Sequence, residues 1–142
     1  MQRTVFDEDH EAFRKTVRDF IAKEVAPVHH EWEADGHPPR DFYRRLGELG
    51  ILGIQAPEEY SGGGESSIKF NAVVAEEVAA AGASFGSYSV HTNLILPYLM
   101  EYGTDEQKQR WLPGFCSGDL MFAIAMTEPG TGSDLANIST TA

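Results

Sequence analysis

From Phe6 to about Ser117 the apolar residues return every three or four positions, and beyond Leu120 that rhythm stops. A helix makes one turn in 3.6 residues, so such spacing lays the apolar side chains along one face. Phe13, Val17, Phe20, Ile21 and Val25 mark a first helix from about Phe6 to Ala26. Asp7, Glu8 and Asp9 fall in its first turn, where the positive end of the helix dipole favours acids. Pro27 stops it, and Val28 to Ala34 adds another turn or two before Gly36, Pro38 and Pro39 break the chain. Phe42, Leu46 and Leu49 give the stripe of a shorter helix over Pro39 to Leu49, closed by Gly50.

Pro57 to Glu65 reads as a loop. A further helix follows over Ser67 to Ala81, with Phe70, Val73, Val74, Val78 and Ala81 on its face, Glu76 outside it and Gly82 as its stop. Ser87 to Tyr102 is apolar nearly all round in its middle (Leu94, Ile95, Leu96, Leu99, Met100), which predicts a central helix, and Pro97 predicts a kink or an irregular turn. Thr104 and Gln107 have capping-box spacing and open a helix toward Leu112, which Pro113 and Gly114 should interrupt.

Leu120 to Met126 is a compact apolar run without helical period and reads as a buried strand; Thr127 to Asp134 is rich in turn formers, and another strand should begin near Ile138. The expected fold class is therefore mainly α: a helical bundle over residues 1–118, then the first strand of a truncated β domain over 119–142. One strand and the start of another cannot form a stable sheet alone, so the chain is expected to stop inside a β-rich second domain.

Composition narrows function. Eleven basic residues against twenty-two acidic ones give a formal charge of −11, which argues against nucleic acid or an anionic membrane as partner. No apolar stretch is long enough to span a bilayer, and the residues from Met1 to Asp9 lack the pattern of a secretory signal. The single cysteine, Cys116, excludes an internal disulfide and fits a reducing, cytoplasmic setting. No metal site is expected. Gly62, Gly63 and Gly64 form a structural turn, because no P-loop Lys-Ser/Thr follows them. His29 and His30 are read as surface residues and His91 as a satisfied core histidine. Trp32 and Trp111 are read as packing residues, Cys116 as a small structural one, and Glu76 and Glu77 as a solvated face or a salt bridge.

The segment Ala125-Met126-Thr127-Glu128-Pro129-Gly130-Thr131-Gly132-Ser133-Asp134 closely resembles the first signature of the acyl-CoA dehydrogenases. Leu49-Gly50-Ile51-Leu52-Gly53, Pro57-Glu58-Glu59-Tyr60-Ser61-Gly62-Gly63, Ala75-Glu76-Glu77 and Gly103-Thr104-Asp105-Glu106-Gln107-Lys108 also fall where that family has similar residues. The resemblance spans the whole chain. Thr131 departs from it, standing where the family has a smaller residue.

The resemblance implies an FAD enzyme that converts a fatty acyl-CoA to its trans-2-enoyl-CoA. A glutamate takes the proton α to the thioester, a hydride passes to the flavin, and electrons go on to an electron-transfer flavoprotein. Such enzymes are homotetramers of a helical, a β and a second helical domain. Ile124, Ala125, Met126 and Thr127 would lie along the flavin ring, with Gly132 beside the cofactor and Ser133 near both the FAD pyrophosphate and the pantetheine arm of the substrate. Gly130 and Gly132 would allow close backbone approach and positive φ, and Ser87 to Tyr102 would help line the acyl pocket. The resemblance puts the catalytic base in the C-terminal domain and none in these residues, so the chain alone should be inactive. An acyl-CoA oxidase or flavin monooxygenase of the same architecture, or a helical interaction module without ligand, are the alternatives; oxygen reactivity and flavin colour separate them.

Overall fold

The computed structural model describes residues 4–141; Ala142 and the first three residues of the stretch read for a leader lie outside them. Helix α1 (Glu8–Phe20) starts where Asp7 accepts a hydrogen bond from the His10 amide at 3.1 Å, satisfying one of the first-turn donors. It widens without a break into a π-helical turn, Ile21–Val25, which keeps Ile21 and Val25 buried. After Pro27, α2 (His29–Asp35) ends on Gly36 in the left-handed region, at φ 81°. Helix α3 (Arg40–Glu48) buries Phe42, Tyr43 and Leu46. A turn of Ile51, Leu52, Ile54 and Ala56, all buried, leads to a 3-10 turn, Glu58–Tyr60.

Helix α4 (Lys69–Ala80) packs along α1. A second π-helical turn, Val90–Ile95, runs into α5 (Leu96–Tyr102), and α6 (Asp105–Ser117) begins at the Thr104–Gln107 capping box. Helix α6 packs against α3 and the 3-10 turn. One core cluster joins Val17, Phe20, Ile21, Phe42, Leu46, Val74 and Phe85; a second joins Ala56, Tyr60, Leu96, Leu112, Phe115 and Cys116. The mainly α architecture is as expected.

Three local expectations are corrected. Helix α6 runs straight through Pro113 and Gly114 to Ser117. The bond that Pro113 cannot make would fall on the carbonyl of Gln109, an exposed residue that water can serve, while Leu112 and Phe115 either side are wholly buried. Pro97 produces no kink within α5, because it sits in the first turn, where an amide donor is not needed; the irregular turn that was the other expectation is the π-helical turn Val90–Ile95 just before it. The strand expected over Leu120 to Met126 is absent: the segment is extended, but no chain lies beside it among the described residues. The second strand is absent likewise, and a 3-10 turn, Leu135–Asn137, precedes Ile138. Extended backbone becomes a strand only when a neighbour takes up its donors and acceptors.

Candidate functional site

The candidate segment leaves the bundle at a fixed point. Gly118, at φ 79°, turns the chain off the end of α6. Arg40 donates to the Asp119 carbonyl at 2.5 Å and Arg44 to its carboxylate at 3.0 Å, so two arginines of α3 hold the first residue of the exit. The Leu120 amide donates to the Gly114 carbonyl at 2.9 Å, and the Phe122 amide to Nδ1 of His91 at 3.3 Å. The Phe122 ring packs near Phe115 and His91, with centroids at 5.6 and 5.8 Å.

From there the chain runs clear of the bundle. Ile124 is half-buried; Ala125, Met126 and Thr127 are exposed. Among the described residues none of the backbone donors or acceptors from Ala123 to Thr127 has a partner. Glu128 and Thr131 then exchange two backbone hydrogen bonds at 3.0 Å, closing a turn over Pro129 and Gly130. The Glu128 carboxylate accepts four hydrogen bonds, from the amides and hydroxyls of Ser139 and Thr140 at 2.5–3.0 Å. Those donors, the Thr140 hydroxyl first, pull its pKa down to about 2. Thr131 is buried and its hydroxyl donates to the Asn137 carbonyl at 3.2 Å, which gives the larger residue at this position a structural task.

Ser133 lies beyond the turn, exposed. Neither its hydroxyl nor that of Thr127 has a hydrogen-bond partner among the described residues. Gly130 and Gly132 do not have the positive φ that was expected, and a Cβ on either would meet nothing within 4 Å. Unpartnered hydroxyls, unpaired amides and an open glycine surface fit a flat, polar-edged cofactor such as FAD.

The other candidates fall into place around this segment. His91 is fully buried and hydrogen-bonded at both ring nitrogens, a satisfied core histidine, and burial holds its pKa down at about 4. Cys116 is buried, which pushes its thiol up to about 11 and leaves it unreactive. Glu77 is in a salt bridge with Arg14 and Arg18. Within Ser87 to Tyr102, Ile95 and Leu96 turn into the core, while Tyr98 and Tyr102 are exposed. A cavity of about 450 Å³ lies between Phe20, Trp32 and Phe42 under a charged rim, away from the candidate segment. Among the described residues no three metal-ligating side chains come together, and no helix is long and apolar enough to cross a membrane.

The anchoring residues Arg40, Arg44, Asp119 and His91 had no local signal as partners of this segment. Arg40 and Asp119 are 79 positions apart and His91 and Phe122 are 31, so only the folded chain pairs them.

The family pattern described as acyl-CoA dehydrogenase, N-terminal domain, matches residues 7–119. The long-chain specific acyl-CoA dehydrogenase of Rattus norvegicus mitochondria is 39% identical over 140 residues, covering 99% of this chain and 32% of the relative. The crystal structure of an acyl-CoA dehydrogenase from Geobacillus kaustophilus superposes with a TM-score of 0.89 at 42% identity, over 97% of this chain and 36% of that one. An acyl-CoA dehydrogenase from Bacillus anthracis, complexed with FAD, gives a TM-score of 0.76 at 32% identity, over 98% of this chain and 24% of that one. The chain spans about a third of the length of the curated relatives it matches. With its helical bundle matched almost end to end, this chain belongs to the acyl-CoA dehydrogenase family.

Proposed function

We propose that this chain is the N-terminal part of an FAD-dependent acyl-CoA dehydrogenase, with residues 1–118 as its helical domain and 119–142 as the start of its β domain. Ile124, Ala125, Met126 and Thr127 would lie along the flavin, and Gly132 and Ser133 beside it, with Ser133 also reaching the acyl-CoA. The observation that carries this reading is the pair of unpartnered hydroxyls, Thr127 and Ser133, on either side of a turn locked by Glu128. A locked turn presents them at a fixed separation, and positioned donors are what a cofactor site requires of its protein.

When bound, FAD would accept the hydride that leaves the β carbon of the acyl group. The protein's part here is to present donors and hold the segment still. Glu128 does not serve as the base that takes the α proton. Its lone pairs are occupied by four donors, and a carboxylate with a pKa near 2 is a poor proton acceptor at neutral pH. The family resemblance implies a base in a part of the enzyme outside these residues, and these 142 residues alone are expected to be inactive. An electron-transfer flavoprotein as electron acceptor, a homotetrameric assembly and a cytoplasmic setting complete the proposal.

The test is FAD titration of the full-length apo-protein with Thr127→Val and Ser133→Ala. Each change is expected to weaken FAD binding about tenfold or to shift the flavin spectrum, the effect of one lost hydrogen bond. Affinity and spectrum unchanged in both variants would sink the reading.

A further inference from the structure

One imidazole makes the last bundle-side hydrogen bond to the flavin-facing segment. His91 is fully buried, at the start of the π-helical turn Val90–Ile95, a local widening of the helix often found where a side chain must be re-aimed for function. Its ring stacks on Phe115 with centroids 3.7 Å apart and planes 10° from parallel. Nδ1 accepts the Phe122 amide proton at 3.3 Å, and Nε2 lies 3.4 Å from the Phe115 carbonyl. An acceptor at Nδ1 requires the proton on Nε2, so the ring is the neutral Nε2–H form and donates to Phe115. The Phe115 carbonyl, in the last turn of α6, also accepts the Gly118 amide at 3.3 Å. One ring thus adds a second donor at the end of α6 and holds the Phe122 amide of the segment that, five residues later, carries Thr127.

We propose that His91 is a positioning residue for the flavin: by bridging the Phe115 carbonyl and the Phe122 amide, it sets the direction and height at which Ile124 to Thr127 meet the cofactor. This rests on the reading of that segment as flavin-binding. Between Phe122 and the Glu128 turn no backbone group is tied to the described residues, so His91 is the last anchor on the bundle side. Arg40 and Arg44 fix Asp119 and the Gly114 carbonyl holds the Leu120 amide; the attachment at Phe122, two residues on, sets the direction in which the chain leaves them. Burial keeps the ring neutral, so the acceptor persists across the physiological range.

The experiment uses the full-length protein with His91→Phe, which keeps the stacking and loses both nitrogens, and His91→Gln, which keeps an acceptor and a donor at similar separation. Amide hydrogen exchange over residues 120–127 of the apo-protein, FAD affinity and the visible circular dichroism of bound flavin are measured, with Thr127→Val alongside. His91→Phe is expected to speed exchange in that segment and to weaken FAD binding, each about tenfold, and to change the flavin dichroism. His91→Gln is expected to restore all three most of the way. Should His91→Phe not fold, His91→Asn replaces it, because its amide is too short to bridge the two groups. Unchanged exchange and flavin signals in the bridge-less variant, or losses in His91→Gln equal to those in it, overturn the inference while Thr127→Val still perturbs the flavin. No flavin effect from Thr127→Val or from any His91 variant defeats the underlying reading instead.

Discussion

Arg18 of α1 grips Glu77 of α4 in a two-pronged bond, Nε to Oε2 at 2.7 Å and Nη2 to Oε1 at 2.9 Å. Arg14, one turn earlier, donates to the same Oε1 at 3.0 Å and to Glu76 at 2.8 Å. The hydrogen bonds from Arg18, and then Arg14, hold the Glu77 carboxyl below its usual range, although burial pushes the other way. Glu77 is 6% exposed, so its charge is compensated by the two guanidiniums rather than by water.

Glu77→Ala should therefore destabilise the bundle by about 2 kcal/mol, since it strips the charge-assisted pair with Arg18 and one of the bonds of the half-buried Arg14, which keeps Glu76. Denaturant unfolding measures it. A double-mutant cycle with Arg18→Met should show coupling between the two sites. Additive losses would mean that the bidentate pair contributes nothing of its own.

Gly47 sits where α3 crosses the end of α6, and a Cβ there would run into the Ser117 carbonyl. Gly118 meets the Tyr43 carbonyl in the same way from the other side. Backbone cannot step aside as a side chain does, so Gly47→Ala should cost about 3 kcal/mol through forced separation of the two helices. Because that crossing also sets where Asp119 leaves α6, the variant should loosen residues 119–122 in hydrogen exchange. A thermal midpoint equal to that of the parent chain would contradict the close approach.

The pH dependence of stability should carry the mark of His91. Its folded pKa of about 4 lies below the unfolded value of 6.5, so the unfolded chain binds the proton more readily. Burial is the first cause, and Arg40 adds to it; the contact with the Phe115 carbonyl opposes both. Stability is full above about pH 6.5 and is lost as pH falls from there to about 4, by up to about 3 kcal/mol. The carboxylates add their own acid sensitivity, so the comparison is between the parent and His91→Gln. The difference in unfolding free energy between the two should shrink between pH 7 and pH 4. A constant difference would show that the ring titrates as it does in water.

The sequence alone was enough for the helices, their apolar faces and most of their stops, because the period of 3.6 and the cap and stop residues at Thr104, Gly36, Gly50 and Gly82 act over a few neighbours. The turn at Glu128 to Thr131 was legible for the same reason. Distance in sequence hid the rest. Whether Glu77 faced solvent or a salt bridge depended on α1 lying across α4, some sixty residues away. Whether α6 survived Pro113 depended on how deeply Leu112 and Phe115 were buried beside it. Leu120 to Met126 had the composition of a strand, but a strand is a property of two segments, and its hydrogen bonds need a neighbour that its own residues do not encode. His91 could be recognised from its apolar setting as a core histidine; that its two nitrogens tie the end of α6 to the candidate flavin segment was decided only when the fold brought Phe115 and Phe122 to either side of the ring.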